Sequence, residues 1–392
     1  MTSRNRAPER TVSVIGATGS VGSSVLDICS RFPDRIQIHG LASFSRGDKL
    51  SEMAARSGNS VSVIFDESSC RSWRGKFPDN HKLMCGPDGL LEMVEDPMSG
   101  DIVFASSGIE AAPALIRALE LGKTVFMANK EIIVAAGQWI MDIEAGASGA
   151  SIIPLDSEHN AVWQCLRGES PENVDKIYLT ASGGPFLDYT TDDLRTVTPE
   201  LALRHPVWPM GKKISVDSAT LMNKGLEIIE AHHLFCVPVE NIGVAVHRRA
   251  LVHAMVQMSD GNVKMLLSRP DMRMPVIAAL GFPSRYKSAS REFMPPSLDA
   301  MELDFCVPDT ARFPCLDIAR SACAAGGAMP PLLVGADEVA VDRFLKGEIG
   351  FMDISVVIEK VLSGYGGPAP SSWEEAIALV STGKRMARSE VD

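Results

Sequence analysis

The stretch Thr11-Val12-Ser13-Val14-Ile15-Gly16-Ala17-Thr18-Gly19-Ser20-Val21-Gly22 joins a strand to a helix through closely spaced glycines. A short β-branched run ends in glycines spaced Gly16-x-x-Gly19-x-x-Gly22, and a helix-like segment follows over residues 23–30. Glycines at a strand-to-helix turn let the backbone bend tightly and approach a pyrophosphate, which then rests on the helix N-terminus. The spacing alone also fits an ordinary turn; its place after the first strand and before a helix favours a dinucleotide site. Working outward, strands are predicted over 36–42, 60–65, 101–105, 124–127 and 151–155, with helical stretches between several of them. That alternation predicts a doubly wound parallel sheet.

The end of the second strand should read the ribose, an acid favouring a free 2′-hydroxyl and a base a 2′-phosphate. Gly40-Leu41-Ala42 runs into Ser43-Phe44-Ser45-Arg46 with no acid before Asp48. NADP is therefore the predicted dinucleotide, with Arg46 as candidate phosphate partner or, equally, a solvated loop arginine.

The whole chain of 392 residues is long enough for two or three domains. A net charge of −11 argues against a general nucleic-acid binder while leaving room for a local basic pocket. Eight cysteines stand singly, without a CxxC pair, which suits idle thiols in a reducing, cytoplasmic setting better than disulfides or a thiolate zinc site. No apolar run reaches the roughly 20 residues needed to span a bilayer. Residues 1–10 are polar and basic and read as a loose leader, not a signal peptide.

Beyond Ile153 the texture changes. Pro154-Leu155 ends an apolar strand and leads directly into Asp156-Ser157-Glu158-His159-Asn160. In extended backbone, residues two apart point the same way, so Asp156 and Glu158 are expected to converge. Paired carboxylates repel unless they share a proton or a cation, and hard ions such as Mg²⁺ or Mn²⁺ prefer oxygen ligands. A bare acid pair reads more readily as part of a solvated surface loop. In Asp217-Ser218-Ala219-Thr220-Leu221-Met222-Asn223-Lys224-Gly225-Leu226-Glu227, a helix over 223–230 would put Asn223 and Glu227 on one face beside Lys224. The alternative is a capped surface helix with a routine charge pair. Glycine- and proline-rich loops carry Ser182-Gly183-Gly184-Pro185 and His205-Pro206-Val207-Trp208-Pro209-Met210-Gly211. Amphipathic helices are predicted over 316–325, 336–346, 353–362 and 372–380.

At these residues the sequence closely resembles the 1-deoxy-D-xylulose 5-phosphate reductoisomerases, over nearly its whole length. The segments that carry the likeness are the glycine loop, Ala128-Asn129-Lys130-Glu131, 154–160, 182–186, 213–227 and Pro270-Asp271-Met272-Arg273. The resemblance implies a homodimer that turns 1-deoxy-D-xylulose 5-phosphate and NADPH into 2-C-methyl-D-erythritol 4-phosphate. It implies Mg²⁺ or Mn²⁺ on Asp156, Glu158 and Glu227, and substrate phosphate on Ser182, Ser218, Asn223 and Lys224. It further gives Ser157 a substrate hydroxyl, Lys130 a place beside metal and nicotinamide, and Trp208 a covering role in a flexible lid. His159, His205 and His253 would be site histidines. NADPH would meet Thr18, Gly19, Ser20, Val21, Ser43, Ser45, Arg46, Asn129, Glu131 and Gly211.

The α/β division so expected is a Rossmann-like NADPH domain (1–153), a central α/β catalytic domain (154–285) with its lid at about 205–211, a linker (286–314) and a small helical domain (315–392). The chain departs from the family's usual pattern at His247-Arg248-Arg249-Ala250, where Pro-Gln-Ser is usual after the histidine. It departs at Ser268-Arg269, at Gly335-Ala336-Asp337-Glu338 in place of Ala-Ala-Asn-Glu, and at Ser43-Phe44-Ser45 in place of Gly-x-Asn. Two other readings compete: a related reductase acting on another phosphorylated sugar or polyol, and a non-catalytic dinucleotide-sensing protein. The retained Lys130, Asp156, Glu158, Asn223, Lys224 and Glu227 weigh against the second.

Overall fold

The computed structural model describes residues 9–78, 81–208, 210–287, 293–294, 299 and 301–391. The chain forms two compact units: 1–129, 142–160 and 272–289 in the first, and 130–141, 161–271 and 290–392 in the second. Residues 1–8 of the expected leader, Pro209 of the expected lid and 288–292, 295–298 and 300 of the expected linker lie outside the described residues.

In chain order the first part reads β1 (Arg10–Ile15), α1 (Ser20–Arg31), β2 (Ile36–Ser43), α2 (Gly47–Ser57), β3 (Val61–Ile64), α3 (Glu67–Trp73) and β4 (Lys82–Cys85). It continues with α4 (Gly86–Glu95), β5 (Asp101–Phe104), α5 (Ala112–Glu120), β6 (Thr124–Met127), α6 (Lys130–Gly146), β7 (Ser151–Pro154) and α7 (Ser157–Leu166). The seven strands form one parallel sheet in the order β4-β3-β2-β1-β5-β6-β7. Strands covered on both faces read as continuous buried runs, as in Val12 to Ile15 and Val61 to Ile64. Ser13 survives in that core because its hydroxyl meets Ser99 Oγ at 2.6 Å.

Three expectations change here. Arg10, assigned to the leader, opens β1 and forms an ion pair with Asp101. Strand β4 was not foreseen: Lys82-Leu83-Met84-Cys85 has no β-branched residue and becomes a strand by pairing with β3. The idle-thiol reading also fails at two positions, because Cys70 of α3 and Cys85 at the end of β4 form a disulfide with Cα atoms 5.7 Å apart. Their separation of 15 residues hides the contact that the α3-to-β4 connection creates. The other six cysteines are free.

The second part runs β8 (Val174–Ala181), α8 (Thr191–Leu194), α9 (Pro199–Ala202), α10 (Lys212–Ala219), α11 (Met222–Phe235), β9 (Ile242–Val246), β10 (Val252–Met258) and β11 (Val263–Leu267). Its sheet has the order β11-β10-β8-β9, with β8 parallel to β9 and the other pairs antiparallel. Val252, Ala254, Val256 and Met258 of β10 alternate inward. Helix α12 (Arg273–Gly281) packs on α1, with Arg273 3.3 Å from Asp27, and so falls in the first unit despite its expected place with the catalytic segment.

Helices α13 (Cys315–Ala325), α14 (Met329–Leu345), α15 (Asp353–Gly364) and α16 (Trp373–Val391) form the C-terminal bundle. Helix α14 is apolar over most of its circumference because α10, α13, α15 and α16 all pack on it. A Cβ on Gly335 would lie 2.1 Å from Val380 O, so α14 and α16 touch backbone to backbone. That contact accounts for glycine where the family usually has alanine.

Candidate functional site

The nucleotide loop sits at the carboxyl ends of β1 and β5, where the strand order reverses and open α/β sheets bind ligands. Gly16 has φ +85°, and a Cβ there would lie 2.4 Å from Ser106 N. A Cβ on Gly22 would lie 2.4 Å from Gly16 O, so these two glycines permit the tight turn into α1. The N–H groups of Gly16 and Ala17 donate to Ala42 O at 3.0 and 2.9 Å, and the Thr18 and Ser43 hydroxyls meet at 3.0 Å. Lys49 Nζ donates to Thr18 O at 2.7 Å, a brace the sequence reading missed. Gly19 and Ser20 lie exposed at the start of α1, with Val21 half-buried beside them. This cradle, open at a helix N-terminus, fits a dinucleotide pyrophosphate. Ser45 and Arg46 are exposed just after β2, and buried Asn129 donates to Gly108 O at 2.7 Å.

In the same unit the acidic segment differs from its expected local form. Ser157 opens α7, so Glu158 lies in the first helical turn and not on an extended strand end. Residues two apart on a helix diverge, so strand alternation cannot bring Asp156 and Glu158 together. The helix starts here because Asn160 N–H donates to Asp156 O at 2.8 Å, while buried Asn160 Nδ2 donates to Pro154 O at 2.8 Å. The i,i+3 neighbour of Asp156 is His159, fully buried, with Nδ1 3.6 Å from Asp156 Oδ1. Ser157 Oγ donates to Glu158 Oε2 at 2.5 Å.

In the second unit Asn223, Lys224 and Glu227 fall on α11 as the helical spacing predicts. Glu227 is 1% exposed, Lys224 3% and Lys130 6%. Glu227 Oε1 accepts from Lys130 Nζ at 3.2 Å and from Asn223 Nδ2 at 2.5 Å, and Oε2 accepts from Lys224 Nζ. Lys130 also donates to Asn223 Oδ1 at 2.9 Å. The turn from α10 into α11 holds Leu221 at φ 61°, a left-handed conformation costly for a branched side chain and typical of functional turns.

A second polar cluster forms around His205, whose Nε2 is 3.1 Å from both Ser182 Oγ and Ser218 Oγ. Its Nδ1 accepts the N–H groups of Val207 and Trp208 at 3.2 and 2.8 Å. Two donors on Nδ1 leave Nε2 as the protonated nitrogen of a neutral ring. Burial points the same way, pushing His205 down to about 4. His253 is likewise pushed to about 4, first by burial; its Nε2 meets Ser268 Oγ at 2.8 Å and its ring centroid lies 6.4 Å from that of Trp208. Gly211 caps α10 and accepts from Ser215.

Two buried carboxylates and a half-buried lysine stand beside these clusters without having been assigned a role: Asp217, Asp337 and Lys213. In the sequence Lys213 and Asp217 stand only within the 213–227 match, and Asp337 as a departure from the usual asparagine.

Comparison with known proteins fits this arrangement. Residues 12–137 match the family model for 1-deoxy-D-xylulose 5-phosphate reductoisomerase, 152–235 that for its C-terminal domain, and 267–386 a further model for a DXP reductoisomerase C-terminal domain. The reductoisomerase of Thermodesulfovibrio yellowstonii is 41% identical over 383 residues, covering 97% of this chain and 99% of that protein. That of Desulfosudis oleivorans is 42% identical over 359 residues, with 91% and 93% covered. The solved reductoisomerase of Zymomonas mobilis in complex with NADPH superposes with a TM-score of 0.89 at 37% identity, covering 98% of this chain and all of that one. A reductoisomerase in complex with NADPH, fosmidomycin and magnesium gives 0.89 at 33% identity, with 97% and 98% covered. With models matching through most of its length and relatives above 40% identity end to end, the chain belongs to the 1-deoxy-D-xylulose 5-phosphate reductoisomerase family.

Proposed function

We infer that the protein converts 1-deoxy-D-xylulose 5-phosphate and NADPH into 2-C-methyl-D-erythritol 4-phosphate, using Mg²⁺ or Mn²⁺, as an NADPH-dependent oxidoreductase of isoprenoid precursor synthesis. The observation that carries this reading is the buried Glu227 with Lys130, Asn223 and Lys224 gathered on its two oxygens. A carboxylate held so far from water, amid cations, is set up for charge and not for packing.

Asp156, Glu158 and Glu227 are assigned to the metal, and their carboxylate oxygens are the donors that hard divalent ions prefer. When bound, the ion supplies Lewis acidity to the substrate's ketone and neighbouring hydroxyl oxygens. The glycine loop with Ser43, Ser45, Arg46, Asn129, Glu131 and Gly211 would hold NADPH, which would supply the hydride for the reduction. Ser182, Ser218, Asn223 and Lys224 hold the substrate phosphate. Neutral His205, its Nε2–H between the two serine hydroxyls, keeps their lone pairs and protons aligned. Ser157 orients a substrate hydroxyl, and Lys130 keeps its ammonium beside Glu227. Trp208 covers the substrate as part of a lid over about 205–211 that excludes water. His159 supports Asp156, and His253 supports the lid through Trp208.

As functional parts the chain divides at 153/154, 285/286 and 314/315. Homodimerisation through the second sheet is supported by β11, an edge strand that leaves Val263 and Met265 52% and 44% exposed. No helix among the described residues is long and apolar enough to cross a membrane. A cytoplasmic location is supported by the reaction's use of NADPH.

The test is loss of NADPH absorbance. Oxidation is expected only when the sugar phosphate and Mn²⁺ or Mg²⁺ are both present, and EDTA stops it. Turnover of another phosphorylated polyol, with none of this substrate, would overturn the assignment.

A further inference from the structure

Helix α10 carries Ser218 at one end and is tied to α14 by an ion cluster. Lys213 Nζ lies 2.6 Å from Asp217 Oδ2 and 2.5 Å from Asp337 Oδ2. Asp217 is 3% exposed and Asp337 fully buried, so an ammonium on a 30% exposed side chain faces two carboxylates shielded from water. The second oxygen of each, Asp217 Oδ1 and Asp337 Oδ1, is buried with no hydrogen-bond partner among the described residues. Glu131 of α6 adds a further negative charge, and the thiol of Cys315 on α13 also faces the cluster. Two unpaired carboxylate oxygens and a surplus of negative charge are both relieved by one proton.

We propose that Asp337 is a positioning residue: across the Lys213 ammonium it competes with Asp217, and so makes the hold on α10 depend on a single proton. The proposal rests on the assignment of Ser218 to the substrate phosphate. With the proton in place, Lys213⁺ is balanced by one carboxylate, and the carboxylic acid has an O–H to donate. Without it, repulsion between the carboxylates works against the α10–α14 contact, and Ser218 loses its fixed position. Burial, then Asp337, pushes the Asp217 carboxyl up to about 7, against the pull of Lys213. The folded protein therefore holds a proton that the unfolded chain releases at lower pH. This contribution to stability is complete below the ordinary carboxylate range and lost as pH rises through about 7.

Asp337→Asn keeps the shape and removes the competing charge. Two measurements on the full-length enzyme decide the matter: Tm from pH 5 to 8.5, and kcat and KM for the sugar phosphate from pH 6 to 8.5. The wild type is expected to lose about 3 °C more of Tm across that range than D337N. Its KM is expected to rise at least about threefold more than that of D337N, with kcat profiles running in parallel. The substrate phosphate titrates identically for both proteins, so only the difference between them counts. Parallel Tm curves would overturn the shared-proton cluster. Divergent Tm curves with coincident KM profiles would overturn the positioning role. Absence of turnover in the wild type counts against the reaction assigned above, and the Tm comparison still decides the cluster.

Discussion

Glu227→Gln separates the electrostatic role of this carboxylate from its catalytic one. The side chain is 1% exposed and meets two ammonium groups that are themselves almost fully buried. Removing one partner of a buried ion pair costs about 3–5 kcal/mol, because the remaining charge keeps its desolvation penalty. Glutamine retains a carbonyl acceptor, so the low end, about 3 kcal/mol, is expected. With a urea slope of about 3 kcal/mol/M for a chain of this size, the unfolding midpoint should fall by about 1 M. The measurement is urea unfolding, followed by circular dichroism, in metal-free buffer at pH 7.5. Adding Lys224→Met to the variant removes one uncompensated ammonium and should recover part of the loss. Mn²⁺ at about 100 times its Kd should add roughly 2.7 kcal/mol to the wild type and much less to the variant. A variant that unfolds at the wild-type midpoint, or a double variant weaker than E227Q, would refute the charge argument. Near-normal kcat in E227Q would separately remove Glu227 from the metal.

Acid should weaken the fold through its half-buried and buried histidines. His205, His233 and His253 are each pushed to about 4, chiefly by burial, so the folded state binds fewer protons than the unfolded chain. Their contribution is present above about 6.5 and lost as pH falls toward 4, at up to about 1.4 kcal/mol per pH unit for a fully buried ring such as His253. His253→Gln should flatten the urea midpoint against pH between 6.5 and 5; an unchanged slope would exclude His253 as a source. Arg46→Ala should raise KM for NADPH about tenfold with little effect on NADH, as expected when one phosphate contact worth about 1.4 kcal/mol is lost. Equal effects on both cofactors would return Arg46 to the status of a solvated loop residue. Thiol titration of the unreduced, denatured protein should find the six free cysteines, and all eight after reduction. Reduction of the Cys70–Cys85 bond should also cost about 2–4 kcal/mol of stability, set by the short loop the bond closes.

The parallel sheet was legible because its strands are short runs rich in apolar and β-branched residues between helical stretches, as β1, β2, β3, β5, β6 and β7 show. Strand β4 was not, because its pairing with β3 and not its composition makes it extended. The carboxylates were found by residue type, but the local geometry inferred for Asp156 and Glu158 was wrong. The helix opens at Ser157, one residue after Asp156, with Asn160 N–H already donating to Asp156 O. That reverses the periodicity argument and gives Asp156 a buried histidine as its near neighbour. Glu227 with Asn223 and Lys224 was legible because helical spacing survives whatever the tertiary context. Lys130 joins them from a segment about a hundred residues away, a contact that likeness to a family implies and local pattern does not.

The departures from the family pattern share a feature that bears on function: several carry a visible local contact. Arg248 forms a bidentate pair with Asp188 at 2.7 and 2.5 Å, although both are exposed and the pair is worth no more than about 1 kcal/mol. Arg269 Nε donates to Met294 O at 2.6 Å, and Ser268 gives His253 the hydrogen bond that fixes its ring. Gly335 permits the α14–α16 contact. Asp337 stands apart, since it adds a charge to a buried site already holding Asp217 and leaves both with an unpaired oxygen. Exposed pairs and backbone contacts can drift at little cost, whereas a second buried carboxylate is retained only if its proton is tolerated or used. This chain should therefore differ from relatives with asparagine at that position in the pH dependence of its substrate affinity before it differs in the rate of its chemistry.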